Sequence, residues 1–398
     1  VTDKLQVKDL SKVFGPEPDR ALQMVRQGRG KAEIFRETGT TVGVHDVSFS
    51  VKAGETFVVM GLSGSGKSTL VRMINRLIEP TAGEVFIDGE SVTAADEETL
   101  RRFRLDKLSM VFQHFALFPH RTVRENVEFG LKTKGVDREE RRKRAMAALQ
   151  DVGLADWSEQ LPSALSGGMQ QRVGLARGLA VDPEILLMDE PFSALDPLIR
   201  RDMQGELLEL QRSVHKTILF ITHDLNEALI LGDRIAIMKE GRFVQIGTGE
   251  EIVDAPANDY VAAFTKDTDR SRVLTAEAVM ESHEALDFKE HTVADAIDRM
   301  QRLDRDALYV LDAGKIAGVV RYRDLAAADG AKDGKLTEFI EEDYPTAKRR
   351  THLYRLFERC STGLPLGVIE NDGTLVGVAA PKTVLARLAP NQSVVGEH

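Results

Sequence analysis

At 398 residues, with 42% hydrophobic and 29% charged side chains, the chain is long enough for two or three domains with separate cores and has an ordinary globular composition. A formal net charge of −10 argues against a general nucleic-acid binder, and the single cysteine, Cys360, cannot close an intrachain disulfide and fits a reducing compartment. No apolar run approaches a membrane span and the first residues lack a signal-peptide pattern, so a cytosolic protein is expected unless a partner holds it at a membrane.

In chain order, residues 5–10 alternate as an exposed strand does. Val13-Phe14-Gly15 leads into a long polar insertion over residues 16–41, with one short helical pattern around Ala21, Leu22, Met24 and Val25. Residues 42–51 read as a second strand, closed by Lys52-Ala53-Gly54-Glu55. An apolar strand over 56–60 then feeds Gly61-Leu62-Ser63-Gly64-Ser65-Gly66-Lys67-Ser68-Thr69, and a helical pattern follows from Leu70 to Ile74. Glu84-Val85-Phe86-Ile87-Asp88-Gly89 reads as a strand closed by Asp-Gly, and residues 108–113 as another that ends at Gln113. Residues 123–161 are helical and heavily charged, an inserted helical subdomain, and Leu165-Ser166-Gly167-Gly168 opens a further helix. A buried strand over 185–188 ends in Asp189-Glu190, a helix spans about 198–213, and a last strand over 217–221 ends at Thr222-His223-Asp224. Strands alternating with helices imply a largely parallel sheet.

The pattern changes around residues 257–264, and the polar, charged stretch over 266–272 marks a domain boundary. The remainder contains an internal repeat, because Thr292, Gly314 and Gly318 recur as Thr351, Gly373 and Gly377 at an offset of 59 residues. Each copy carries a helical segment, an apolar strand, a glycine turn and a second strand.

The stretch from Gly61 to Thr69 is a P-loop, standing between a buried strand and a helix where its chemistry requires. Glycines let backbone N–H groups turn inward onto phosphate oxygens, and the helix N-terminus adds partial positive charge. Lys67 would reach the β- and γ-phosphates and the Ser68 hydroxyl would hold Mg²⁺. An Asp at the end of a sheet strand, Asp189, can hold the same ion through its shell, and Glu190 is placed to orient or deprotonate an attacking water.

These residues resemble those of the ATP-binding subunits of ABC transporters. Leu165-Ser166-Gly167-Gly168 resembles the signature motif, with Met169 where the family usually has Gln and Gln170 next. The resemblance implies that Ser166, Gly167 and Gly168 meet the γ-phosphate bound by a second copy of the chain. It also implies that Gln113 is the Q-loop residue at Mg²⁺ and water, that Ser193-Ala194-Leu195-Asp196 crosses the dimer interface, that His223 meets the γ-phosphate, and that Phe14 stacks on adenine. ATP and Mg²⁺ are the implied cofactors. Two copies would sandwich two ATPs, with Gly61, Ser63, Gly64, Ser65, Gly66, Lys67, Ser68 and Thr69 of one chain facing the signature motif of the other.

The insertion with Gly43-Val44-His45-Asp46, the run Asn75-Arg76-Leu77-Ile78-Glu79-Pro80, and Phe115-Ala116-Leu117-Phe118-Pro119-His120 are similar to the glycine betaine/proline osmoprotectant importers. The C-terminal repeat resembles the tandem CBS pair of that group. The expected architecture is therefore an α/β P-loop ATPase domain over 1–266 with a helical subdomain at about 114–175, a linker over 267–275, and an α+β CBS pair over 276–330 and 331–390, with a tail over 391–398. Nucleotide-binding CBS repeats often carry Ser or Thr before an Asp after the second strand. Here the first copy has Arg321-Tyr322-Arg323-Asp324 and the second Ala380-Pro381-Lys382-Thr383. Arg321, Arg323, Asp324 and Lys382 are the candidate regulatory residues; the basic ones, with Lys348-Arg349-Arg350, would meet a phosphate or an anionic membrane surface, and the pair is expected to sense an adenine nucleotide, a cyclic dinucleotide or ionic strength. The implied partners are a second copy, a permease and a substrate-binding protein, with no nucleic acid, at the cytoplasmic face of the inner or plasma membrane. Importers of choline or carnitine, a soluble ABC ATPase, and a CBS pair that only dimerises are the alternatives.

Overall fold

The computed structural model describes residues 3–113, 116–193, 195–266, 268–287, 289–327 and 335–388. Phe115, Ala194, the end of the first repeat over 328–330, the start of the second over 331–334 and the expected tail over 391–398 lie outside them. Contacts divide the chain into two units, residues 1–265 and 266–398. Among the described residues no helix is long and apolar enough to cross a membrane.

The first unit opens with β1 (Asp3–Phe14), α1 (Pro18–Arg26), α2 (Lys31–Thr38), β2 (Thr41–Lys52), β3 (Thr56–Met60) and α3 (Lys67–Ile74). It continues through β4 (Ala82–Ile87), β5 (Glu90–Ser91), α4 (Glu97–Arg102), β6 (Leu108–Val111), α5 (Val123–Thr133), α6 (Arg138–Asp151) and α7 (Gly167–Ala180). Next come β7 (Ile185–Asp189), α8 (Pro197–Val214), β8 (Thr217–Thr222), α9 (Leu225–Leu231), β9 (Arg234–Lys239) and β10 (Arg242–Gly247), then α10 (Gly249–Asp254) and α11 (Asp259–Thr265).

Two sheets form the body, in the orders β2-β1-β4-β5 and β10-β9-β3-β8-β7-β6. The first is antiparallel; the second is parallel except for β10 at its edge. Every residue of β3, β7 and β8 is buried, as expected of strands covered on both faces. Between the sheets Phe49 of β2 stacks on Phe57 of β3 with ring centroids 4.9 Å apart, in a core shared with Leu70, Met73 and Ile74 of α3.

The insertion holds two helices where the sequence pattern suggested one. Gly28 and Gly30 interrupt the helical run, and α2 buries little more than Ile34, too sparse an apolar set to read as periodic. Together α1 and α2 close a small core of their own with Val13 and Val42, and the insertion leaves and re-enters the sheet at the paired residues Phe14 and Thr41.

The second unit contains α12 (Ala276–Val279), β11 (Leu286–Asp287), α13 (Val293–Leu303), β12 (Ala307–Asp312), β13 (Lys315–Arg321) and α14 (Tyr322–Ala327), then β14 (Thr346–Lys348), α15 (Phe357–Cys360), β15 (Leu366–Ile369), β16 (Leu375–Ala379) and α16 (Pro381–Leu388). Both copies build the same three-stranded sheet, one parallel and one antiparallel pairing each. The copies exchange their leading segments. Leu274, Ala276 and Val279 pack into the core of the second copy, while Leu336 packs into that of the first. Backbone bridges repeat the exchange, Glu281 with Val378 and Glu341 with Val319. The repeated glycines stand beside those bridges. A Cβ on Gly318 would lie 2.7 Å from the Glu341 carbonyl oxygen, and one on Gly377 3.1 Å from that of Glu281. The buried Tyr309 hydroxyl adds a polar tie, accepting the Gly367 N–H at 2.8 Å and facing the carbonyls of Pro345 and Pro365 at 2.7 and 2.9 Å.

Candidate nucleotide site

The parallel register aligns the chemistry. Met60 pairs with Thr222, Ile221 with Asp189, and Met188 with Val111, so the P-loop, His223, Asp189-Glu190 and Gln113 all leave the same C-terminal edge of the sheet. Ligand crevices of open α/β sheets form at that edge.

At the P-loop, Leu62, Ser63 and Gly64 are exposed, Gly61, Ser65 and Lys67 are buried, and Gly66, Ser68 and Thr69 are intermediate. Gly66 has φ of +108°, and a Cβ there would sit 2.6 Å from the Gly43 carbonyl oxygen, so only glycine fits at this point of the loop. Lys67 donates to the carbonyls of Gly61 at 2.9 Å and Leu62 at 3.1 Å, and its ammonium stands 3.6 Å from Glu190 Oε1. Burial pulls the Lys67 ammonium below the usual lysine value, against the opposing charges of Glu190 and Asp189. The Ser68 hydroxyl donates to Asp189 Oδ1 at 2.8 Å, while Arg72 holds Asp189 Oδ2 at 3.2 Å.

Glu190 leaves the strand with φ of +47°, a left-handed conformation uncommon for a side chain of its kind. Its N–H bonds the Ile221 carbonyl at 3.0 Å, and its own carbonyl accepts from the Ser193 hydroxyl at 3.0 Å. The turn aims Glu190 away from Asp189's partners and towards His223, whose Nδ1 lies 2.9 Å from Glu190 Oε2. Gln113 is half-buried two residues beyond β6. Phe14, 42% exposed, rests on Gly43, where a Cβ would meet its ring at 2.9 Å, and that same Gly43 touches Gly66. The aromatic thus stands at the rim of the phosphate loop.

Ser166 caps α7 by accepting the Met169 N–H at 3.3 Å. It and Gly167 are exposed, whereas Gly168 is buried against Ile199 of α8. No described hydrogen bond joins residues 166–168 to the P-loop of the same chain. Asp196 accepts the N–H groups of Leu198 and Ile199 at 3.1 Å and so starts α8. Leu198 beside it is 76% exposed.

The family model described as ABC transporter matches residues 44–193, and that described as CBS domain matches 288–330. The glycine betaine transport ATP-binding protein OpuAA of Bacillus subtilis is 48% identical over 394 residues, covering 98% of this chain and 94% of that protein. The chain belongs to the ATP-binding subunits of ABC transporters. Another of these subunits, the glycine betaine/proline betaine transport system protein ProV of Escherichia coli, is 45% identical over 97% of both chains. Among solved structures, the dimeric post-hydrolysis state of the ATP-binding cassette MJ0796 bound to ADP and Pi is 35% identical, with a TM-score of 0.52, over 61% of this chain and 98% of that one. ABC subunits bind nucleotide through the fold seen here.

Sequence reasoning missed Arg72 at Asp189, and Arg200 and Glu227 behind His223. Arg72 had no local signal. Glu227 had one, a buried carboxylate in α9 among Leu225, Ala228, Leu229 and Leu231. In the CBS unit, Arg321 is committed to Glu341 by two bonds of 2.6 and 2.9 Å, Arg323 pairs with Asp324 at 3.3 Å, and Lys382 stands 3.7 Å from Asp304. Lys348, Arg349 and Arg350 line a separate cavity of about 480 Å³, where Arg349 is paired with Glu277 and Glu370.

Proposed function

We propose that two copies of this chain bind and hydrolyse ATP at the cytoplasmic face of a membrane to drive a permease that imports glycine betaine or a related osmoprotectant. The observation that carries the hydrolysis is the Lys67–Glu190–His223 chain of contacts beside the Ser68–Asp189 bond. Backbone N–H groups of the P-loop and Lys67 cradle the phosphates. An arriving γ-phosphate competes with Glu190 for the Lys67 ammonium, which frees the carboxylate to take a proton from water. The water oxygen bonds to the γ-phosphorus as the bond to the β–γ bridging oxygen breaks, and ADP leaves. His223 holds Glu190 on one side and faces the γ-phosphate on the other.

The oxygen donors Ser68, Asp189 and Gln113 suit Mg²⁺, which would neutralise developing phosphate charge. Among the described residues no group of three or more His, Cys, Asp or Glu forms a metal cage, consistent with an ion shared with the nucleotide. The exposed Ser166, Gly167 and Leu198 support a second copy completing each site. A groove of about 250 Å³ lined by Asn75, Phe112, Phe129 and Arg177, beyond Gln113, suits a helix of the permease. The substrate rests on the relatives, which are glycine betaine transport proteins, and a substrate-binding protein follows from it. The CBS unit is read as the regulator, and because Arg321 is neutralised by Glu341, any anionic ligand has Lys348 and Arg350 as its freer cations.

The test is turnover of the complex with its permease in lipid vesicles. Glycine betaine should stimulate wild-type ATP hydrolysis, while Glu190→Gln should hold ATP in a stable dimer without turnover. Turnover at the wild-type rate in Glu190→Gln would remove Glu190 as the base. A rate indifferent to glycine betaine would leave the ATPase and overturn the solute.

A further inference from the structure

Behind the Glu190–His223 contact lies a buried polar network that the proposed reaction does not use. Glu227 of α9 is 4% exposed. One carboxylate oxygen accepts from the Thr222 hydroxyl at 2.6 Å, the other from the Gln204 amide of α8 at 3.2 Å. The Thr222 hydroxyl in turn accepts the Asp224 N–H at 3.0 Å, so the residues on both sides of His223 are held through Glu227. Arg200 of α8 reaches the same cluster, 3.8 Å from Glu227 and 3.6 Å from Asp224, and donates to the Leu195 carbonyl at 3.2 Å. Leu195 directly precedes Asp196, the cap of α8. Two side chains therefore tie the loop that carries His223 to the loop that begins α8.

Packing alone does not call for this arrangement. An ionised carboxylate in the interior costs stability, and an apolar residue of similar volume fills such space at least as well. Burial pushes the Glu227 carboxyl up and Asp224 adds to this, while Thr222, Arg200 and Gln204 favour the ionised form. The network is also incompletely satisfied, because Arg200 Nε is buried without a hydrogen-bond partner. A shift of about 1 Å would convert its 3.8 Å approach to Glu227 into a hydrogen bond. The pair thus has a second arrangement close at hand.

We infer that Glu227 is a positioning residue which, with Arg200, sets the place of His223 from the position of the loop at Leu195 and Asp196. This rests on the proposed dimeric hydrolysis, in which that loop lies against the second copy. Docking of the second copy would shift Leu195, Arg200 would follow its carbonyl bond, and Glu227 would carry the shift through Thr222 and Asp224 to His223. The arrival of the partner then adjusts the His223–Glu190 contact, which is already made at 2.9 Å in the single chain.

The experiment compares full-length wild type, Glu227→Gln, Arg200→Met and the double variant in steady-state ATP hydrolysis and thermal unfolding. A misplaced His223 should lower kcat of Glu227→Gln about tenfold while KM for ATP stays within about twofold. Its unfolding midpoint should stay level or rise, because a neutral amide suits the buried site better. The double variant should be no slower than the worse single one, since both break a single linkage. Wild-type kcat in Glu227→Gln, a kcat loss matched by a lower midpoint, or additive losses would each overturn the inference. Glu190→Gln, measured alongside, separates the two readings. If wild-type turnover does not depend on Glu190, the hydrolysis reading fails and this one with it; if Glu190→Gln is dead and Glu227→Gln is not slowed, only the positioning role fails.

Discussion

Replacing Gly168 by alanine asks whether the glycine at the start of α7 is required by packing between helices. A Cβ on Gly168 would lie 2.5 Å from Ile199 Cγ2. That is about 1 Å inside the ~3.5 Å at which carbon atoms come into contact. The backbone at Gly168 is helical, so by propensity alone alanine would stabilise α7 by roughly 1 kcal/mol. Overpacking opposes this by roughly 1–3 kcal/mol, and the clash sits in the first turn of α8, where Asp196 fixes the backbone. The expected balance is a net loss of about 1 kcal/mol, a fall in midpoint of roughly 2–4 °C. Relief requires the start of α7 to move away from α8, and Ser166, its cap, moves with it. Hydrolysis should therefore fall about tenfold or more while ATP binding at the P-loop of the same chain is kept. Ile199→Ala removes Cγ2 and should restore both midpoint and turnover to Gly168→Ala, although alone it leaves a small cavity. Scanning fluorimetry and steady-state hydrolysis on the two single variants and the double one read this out. A Gly168→Ala protein as stable and active as wild type, or a double variant no better than Gly168→Ala, would refute the packing argument.

Tyr309→Phe should lower the unfolding midpoint of the CBS unit by several degrees, because the Gly367 N–H and the Pro345 and Pro365 carbonyls lose a buried partner worth about 1–3 kcal/mol. Calorimetry with an unchanged midpoint would mean that the hydroxyl contributes nothing to holding the copies together. For Glu227, a folded-state pKa raised above the usual value of 4.5 means that its favourable contribution, present below that value, is lost as pH rises through the folded pKa. The stability advantage of Glu227→Gln over wild type should accordingly be small near pH 4.5 and grow towards neutral pH. Denaturant titrations across that range check the sign, and an advantage that shrinks with rising pH would contradict it.

Phosphate chemistry was legible because its parts are contiguous. A strand, a glycine loop, Lys67 and Ser68 are local neighbours, Asp189 ends β7, and His223 directly follows β8. The apolar runs that became β3, β7 and β8 announced a covered parallel sheet for the same local reason. Reading failed where the partner lies far along the chain. Arg72 meets Asp189 across 117 residues, and Arg200 of α8 meets Glu227 of α9. The second helix of the insertion was hidden because a segment that buries mainly Ile34 has no visible period.

In the C-terminal unit the repeat itself was written in the sequence, as residue types recurring at one offset. That each copy completes the other was not. Leu274 precedes the first copy and Ala276 begins it, yet both belong to the core of the second, and only the tertiary structure decides this. The physical reason is common to all these cases. Local propensity and periodicity specify which segments become strands, loops and helices, but they are blind to which buried face or unpaired carboxylate a distant segment will meet. The sequence alone determined the kind of chemistry at the strand ends. Tertiary packing decided how Glu190, His223 and Glu227 are held relative to one another, because those distances are set by pairings between strands and helices that no short stretch of chain contains.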